Sequence, residues 1–302
     1  MTAFFRVSFQ AYYQRQDGDG LIRVRFCEEI VLCLVGTIRS RQPRCGTRKL
    51  LYLLRDDLER LDYRLGRDAL FCLLRREAML VRPRKRRVFT TASDHELPVY
   101  PNLIEHFEVR RVGALLVSDI TYLRLVQGFC YLFLVTDICS RMIVGWELSL
   151  TLDASGALSA LKQAFKTVPL IRRSIHHSDR GVQYCSAAYV MKLRKAHFQI
   201  SMGRVGCPQD NAVAERVNGI LKGEFFLDRL FDAFPPAYRA TADTIDVYNN
   251  ERPHLSLDMR TPREQFCKML SCRSTRFVSS RHNSPRNDLS TTDVLRCAIA
   301  SR

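Results

Sequence analysis

Between Ala114 and Leu148 three apolar runs follow one another with only turn-forming residues between them. That spacing constrains the chain more than any other feature. Ala114–Leu123 (ALLVSDITYL) reads as a strand, Gln127-Gly128 as a turn, and Phe129–Thr136 (FCYLFLVT) as a second strand. Asp137–Arg141 turns the chain again, and Met142–Leu148 (MIVGWEL) is a third strand. Short runs rich in Val, Ile, Phe and Tyr, bounded by turn residues, form hairpins, so this region predicts a sheet. The first run carries one carboxylate, Asp119. Burying an unpaired polar or charged group is costly, so an Asp in that strand needs a chemical reason.

Beyond the third strand the period changes. Asp153–Thr167 (DASGALSALKQAFKT) opens on a cap candidate and keeps helical spacing. Ser174–Ser178 (SIHHS) is a short strand that hands Asp179 to a cleft just before Arg180-Gly181. Ala187–His197 reads as a helix and Gln199-Ile200-Ser201 as a short strand. Asp210 or Asn211 can cap a helix reaching Phe226, and residues 238–248 (YRATADTIDVY) read as another helix. Three strands, then helix, strand, helix, strand, helix, predict an α/β core: a mixed sheet with helices on both faces. This is the order of a ribonuclease-H-like fold.

Upstream the patterns are helical. Residues 1–27 are mixed, with Asp17-Gly18-Asp19-Gly20 reading as a turn. Residues 28–80 predict a small all-α, helix-turn-helix-like domain of four short helices. These run from Glu28 to about Arg41, over Thr47–Arg55, around Leu58, Leu61 and Leu65, and over Asp68–Met79. A plain helical bundle fits the same pattern; the many arginines favour DNA contact. Residues 81–108 read as a basic linker. Within it Arg84, Lys85, Arg86 and Arg87 suit either phosphate contact or a solvated surface run. The catalytic unit is assigned to 109–270, and the Ser-, Arg-, Thr- and Asn-rich tail 271–302 is expected to be largely disordered.

Charge narrows the class of partner. Lys and Arg number 47 against 31 Asp and Glu, a formal +16, which points to a polyanion and most often to nucleic acid. No apolar run approaches the ~20 residues a bilayer requires, so no membrane partner is expected. Met1–Phe9 lacks the apolar core of an export signal. The 11 cysteines include no C-x-x-C and no zinc-finger spacing, and read as reduced thiols of a cytoplasmic protein.

If Asp119 and Asp179 end neighbouring strands, and the helix carrying Glu215 packs across them, three carboxylates converge. Such a cluster repels itself unless protonated or neutralised by cations. Mg²⁺ takes oxygen ligands, one or two of them carboxylates, and two such ions about 3.5–4 Å apart can drive in-line displacement at phosphorus. Mn²⁺ takes oxygen ligands equally well. Lys222 lies seven positions after Glu215, about 10 Å along one helix face, with Asn218 and Gly219 between them. Spacing alone favours the plainer reading of an exposed helix with ordinary charges.

Particular stretches change that balance. SDITYL surrounds Asp119, FLVTDICSRMIVGW runs through Trp146, IHHSDRGVQY surrounds Asp179, and DNAVAERVNGILKGE holds Glu215 and Lys222. YNNERPHLSL (Tyr248–Leu257) and TPREQF (Thr261–Phe266) follow. Together they resemble the integrase catalytic core of insertion-sequence transposases of the orfB type, in the insertion-sequence group numbered three, within the retroviral-integrase superfamily. Thirty-five residues stand between Asp179 and Glu215, as in that family's D-D-35-E pattern. QPRCGTRKLLYLL, LGRDALFCLLR and YPNLI resemble the upstream region of the same proteins. One departure is Leu116-Val117, where relatives often carry a Trp.

The resemblance implies a DNA transposase subunit that cuts DNA and transfers strands at 3′-hydroxyls, using two Mg²⁺ or Mn²⁺ ions held by Asp119, Asp179 and Glu215. It implies DNA contact by Lys222, with Asn218, Arg180 and Asn211 as further candidates. It also implies a homo-oligomer joining two element ends, and a DNA-binding partner encoded in an upstream frame. A nuclease that only hydrolyses, and a catalytically inactive relic that only binds DNA, stand as alternatives. Other conspicuous residues have plainer readings. His176 and His177 suit structural or supporting roles better than metal ligation. Asp137 shapes a hairpin turn, Arg252 and His254 suit phosphate contact or helix packing, and Trp146 belongs to the core.

Overall fold

The computed structural model describes residues 9–81, 97–170, 173–204, 207 and 211–279, with side chains described within 20–271. Arg84, Lys85, Arg86, Arg87, Asp210 and the tail beyond 279 lie outside these residues.

The first unit is helical: α1 (Phe9–Arg41), α2 (Thr47–Arg60) and α3 (Arg67–Arg76). Its core is Val31, Val35, Leu50, Leu54, Leu58, Leu70, Leu73 and Leu74, all buried and spaced at three or four residues within each helix. Two expectations are corrected here. The Asp17-Gly18-Asp19-Gly20 stretch is no turn but part of α1. Helix propagation is cooperative, and a Gly costs only about 1 kcal/mol against Ala, too little to stop a helix already nucleated further along. The expected separate helix around Leu58, Leu61 and Leu65 is also absent: Leu58 belongs to the last turn of α2. Asp62 then turns left-handed (φ 47°) and ends it, a conformation short polar side chains tolerate.

The second unit is a mixed sheet. Strands β1 (Leu115–Leu125), β2 (Gly128–Asp137) and β3 (Ile143–Ser149) form an antiparallel meander. Parallel strands β4 (Ile175–Ser178) and β5 (Gln199–Met202) extend it on the other side, in the order β3-β2-β1-β4-β5. A two-residue strand β6 (Leu230–Phe231) pairs with the far end of β1. Thus β4 pairs β1 at 115–117 and β6 pairs it at 124–125. Asp119 lies in the interval between them.

Strand alternation sends successive side chains to opposite faces. One face, with Leu116, Phe133 and Val135, packs on α4 (Ala154–Thr167), α5 (Val182–Cys185) and α6 (Ala187–Lys195). The other, with Leu123, Leu132, Leu134 and Ile143, packs on α7 (Ala212–Glu224) and α8 (Phe234–Asn250). Helix α4 sits directly on β3, because a Cβ at Gly145 would lie 2.0 Å from the Ala160 carbonyl oxygen. Finally α9 (Pro262–Ser279) buries Phe266 in the first core and carries regular structure past Ser271, where the composition predicted it to stop. Asp153 does precede α4, but its side chain makes no capping bond.

The two units touch at charged groups. The Lys49 Nζ donates to Glu224 at 2.8 Å, and Arg252 grips the same carboxylate through Nε at 2.8 Å and Nη2 at 2.9 Å. Arg41 pairs with Glu251, and the Arg44 backbone N–H donates to the Glu224 carbonyl at 3.2 Å. Among the described residues no helix is long and apolar enough to cross a membrane.

Candidate active site

The pairing of β1 with β4 places the two aspartates. Val117 is the partner of His177, so two residues further along each strand Asp119 and Asp179 stand at one level. Parity puts Asp119 on the face of Leu115 and Val117. There Ala214, in the first turn of α7, packs against Leu115, Val117 and Ile175. That contact seats the start of α7 over the β1–β4 junction and brings Glu215 beside it.

Electrostatics show how close the acids are. The Asp119 carboxyl is raised to about 7, first by burial and then by the Asp179 charge, with a further push from Glu215. Hydrogen bonds from the Ile120 backbone and the Asn218 amide oppose the shift without cancelling it. Asp179 is also raised by burial, against the Gly181 N–H that donates to its Oδ1 at 3.0 Å. Glu215 stands exposed in the first turn of α7. Among the described residues no group of three His, Cys, Asp or Glu side chains is close enough to hold a metal ion. The structure therefore brings Asp119 and Asp179 together and leaves Glu215 at the margin. The donor set still fits a divalent cation. Desolvation raises both half-buried carboxylates and the Asp179 charge raises Asp119 further, and Mg²⁺ requires only one or two of them.

Asn218, expected as a DNA contact, is buried and donates from Nδ2 to Asp119 Oδ2 at 2.5 Å. Lys222 stands with its Nζ 4.4 Å from the centre of the Tyr122 ring. Burial lowers its ammonium, which feels the Asp228 and Asp119 charges. The Arg180 Nε donates to the Gly203 carbonyl at 2.9 Å, tying the end of β4 to the end of β5. Asn211 takes the cap position of α7, and among the described residues its side chain makes no capping bond and its buried Oδ1 has no partner.

Behind the acids lies a polar cluster that the sequence reading missed. His176 Nε2 is 2.7 Å from Ser118 Oγ and 2.9 Å from the Tyr189 hydroxyl. Burial, then the neighbouring His177, lowers His176 to about 3, so the ring is neutral at physiological pH. The buried Tyr184 hydroxyl has no partner among the described residues and feels the Asp179 and Asp119 charges. The available signal was parity: Ser118 points opposite to Asp119, into a core where a hydroxyl needs a partner. His177 Nδ1 lies 2.9 Å from Ser201 Oγ.

The plainer readings agree with the geometry. Asp137 accepts from the Gly113 N–H at 2.8 Å and from Ser140 N–H and Oγ at 2.8 and 2.6 Å, closing the hairpin turn. Arg252 holds Glu224, and His254 Nδ1 lies 3.0 Å from Ser256 Oγ. Trp146 is half-buried, its ring 5.3 Å from that of Tyr238.

An aspartate within β1 and another just past the end of the adjacent parallel β4, with a helix laid across them, define an integrase-type core. Two integrase core domain models match, over residues 109–208 and 196–262. Transposase InsF for insertion sequence IS3A of Escherichia coli (strain K12) is 36% identical over 211 residues, 67% of this chain and 70% of that protein. The transposase for insertion sequence element IS629 of Shigella sonnei is 34% identical over 172 residues, 56% of this chain and 57% of its own length. The HTLV-2 integrase catalytic core domain, solved in complex with magnesium, is similar at a TM-score of 0.41 and 18% identity, over 51% of this chain and 96% of that one. The chain belongs to the family of InsF-type transposases of IS3 insertion sequences.

Proposed function

We propose that this chain is a catalytic transposase subunit, which cuts DNA at element ends and joins the freed 3′-hydroxyls to target DNA. The observation that carries this reading is the pair Asp119 and Asp179, half-buried at one level, one within β1 and one just past the adjacent parallel β4, with Glu215 reaching the same field from α7. Asp119, Asp179 and Glu215 would hold divalent cations, Mg²⁺ or Mn²⁺. Bound there, two such ions would polarise a phosphodiester and supply a nucleophile at neutral pH. The chain's own residues hold that arrangement. Asn218 sets the rotamer of Asp119, while Ser118, His176 and Tyr189 brace the strands behind it. Lys222 offers a cation beside the acids for a backbone phosphate. The helical unit 28–80 and the basic run Arg84–Arg87 would add phosphate contacts. Joining two ends calls for more than one copy, so the active form would be an oligomer on DNA, working with a DNA-binding partner from an upstream frame.

The test is supercoiled plasmid with Mn²⁺, using the protein, its Asp119→Asn and Asp179→Asn variants, and an EDTA control. The parent should nick or join DNA, and both variants and the EDTA sample should not. Mn²⁺ should also raise the melting temperature of the parent protein and not of Asp119→Asn, because a ligand bound only to the native state stabilises it. Duplex binding without cleavage or cation stabilisation, even with element ends and partner supplied, would leave a DNA-binding relic.

A further inference from the structure

A cleft of about 450 Å³ opens where the helical unit meets the integrase-type core. Arg44, Arg48, Lys49 and Arg67 line it from the helical unit, Arg216 and Arg252 from the core. The acids in the same lining are Asp68 and Glu224, so cations outnumber anions by six to two. Glu224 is already held by Lys49 and Arg252. Asp68 is exposed beside Arg67, a pair worth little in water.

Three further features point to an anionic ligand. Both α2 and α3 begin in the lining, at Thr47-Arg48 and Arg67-Asp68, and neither helix has a side-chain capping bond. Helix N-termini present N–H groups and positive potential, which favour phosphate. Arg252, 3% exposed, keeps its Nη1 without a hydrogen-bond partner among the described residues, although Nε and Nη2 are engaged. The third feature is placement. On α7 the stripe Glu215, Asn218, Lys222 serves the acid site, and Arg216, Ile220 and Glu224 line the cleft. At 3.6 residues per turn the centres of the two stripes are about 170° apart, so one helix turns nearly opposite sides to the acid site and to the cleft.

We propose that this cleft is a backbone-phosphate clamp for duplex DNA, which grips phosphates where the helical unit meets the core, on the side of α7 turned away from the acid site. This inference rests on the DNA reading above. The clamp spans both units, so it forms only when they are docked.

The test is duplex affinity by fluorescence anisotropy across a salt series, on the full chain. It compares Arg48→Gln/Arg216→Gln with Lys162→Gln/Lys166→Gln. All four side chains are exposed, and the lysines lie on α4, on the opposite face of the sheet. Each double variant removes two positive charges. The cleft pair should weaken binding about tenfold or more at moderate salt. It should also reduce the slope of log K against log[salt] by about 2, since each lost phosphate contact removes ~0.9. The α4 pair should stay within about twofold of the parent. Equal losses in both pairs, or no loss in the cleft pair, would overturn the clamp and leave the DNA reading standing. Failure of the parent chain to bind duplex DNA would overturn both.

Discussion

A single hydrogen bond separates two roles for Asn218. Its amide is turned into the site, toward Asp119. Asn218→Ala should therefore reduce the Mn²⁺-induced rise in melting temperature and leave duplex affinity unchanged; the reverse pattern would return Asn218 to DNA contact. His176 makes a second residue-scale prediction. Its folded pKa, about 3, lies below the ordinary 6.5, so between these values the unfolded chain takes up a proton that the native state refuses. Its contribution to stability is intact above pH 6.5 and declines as pH falls toward 3. His254, lowered to about 4 by burial and by Arg252, adds in the same direction. Denaturant titrations of His176→Phe should show lower stability at pH 7 but a shallower decline from pH 6.5 to 4.

The elements are held by close approach as much as by burial. Gly145 on β3 lets the backbone of α4 lie against the strand, and Gly156 on α4 lets the Phe133 ring lie against the helix. A methyl group at Gly145 would meet Ala160 O at 2.0 Å and Ala164 N at 2.8 Å, both backbone atoms that cannot swing aside. Overpacking of this kind costs about 1–3 kcal/mol, and more when backbone must move. Gly145→Ala should fall at or above the top of that range, read as a lowered denaturant midpoint. An unchanged midpoint would mean that α4 is not seated on β3 in solution. The same seating keeps β3 and β2 in place beside β1, and so bears on the site although Gly145 is not part of it.

Across the whole molecule, Glu224 is the more buried of the charged links between the helical unit and the core. Burial on its own would raise this carboxyl. The hydrogen bonds and charge of Arg252, then Lys49, outweigh that and hold it at about 2 against an ordinary 4.5. Its stabilisation is complete above about pH 4.5 and is lost as pH falls toward 2. Lys49 is held below its ordinary value, by burial first and then by Arg252, so two cations depend on one carboxylate. Glu224→Gln leaves both cations without their counter-charge and should cost roughly 3–5 kcal/mol, seen as a lower melting temperature at pH 7. That loss should shrink as the comparison moves from pH 5 toward pH 3. A loss that stayed constant over that interval would mean that Glu224 acts by packing and not by charge.

Much of the core was legible in the chain itself. The three apolar runs, the strand before Asp179 and the helix after Asn211 stand within a residue or two of their expected bounds, because period-2 and period-3.6 patterns record which side of an element is buried. Asp119 was conspicuous because a carboxylate in an apolar strand is costly. What local pattern could not determine was length where propensity is weak, as in α1 running through Gly18 and Gly20, and partnership between segments far apart in sequence. Only tertiary packing decided that Asn218 serves Asp119 and that Ser118 and Tyr189 share His176. It also decided that Glu224 faces Lys49 across 175 positions, and that two helix N-termini meet Arg216 in one cleft. Periodicity states which way a side chain points; which group it meets depends on how whole elements are stacked.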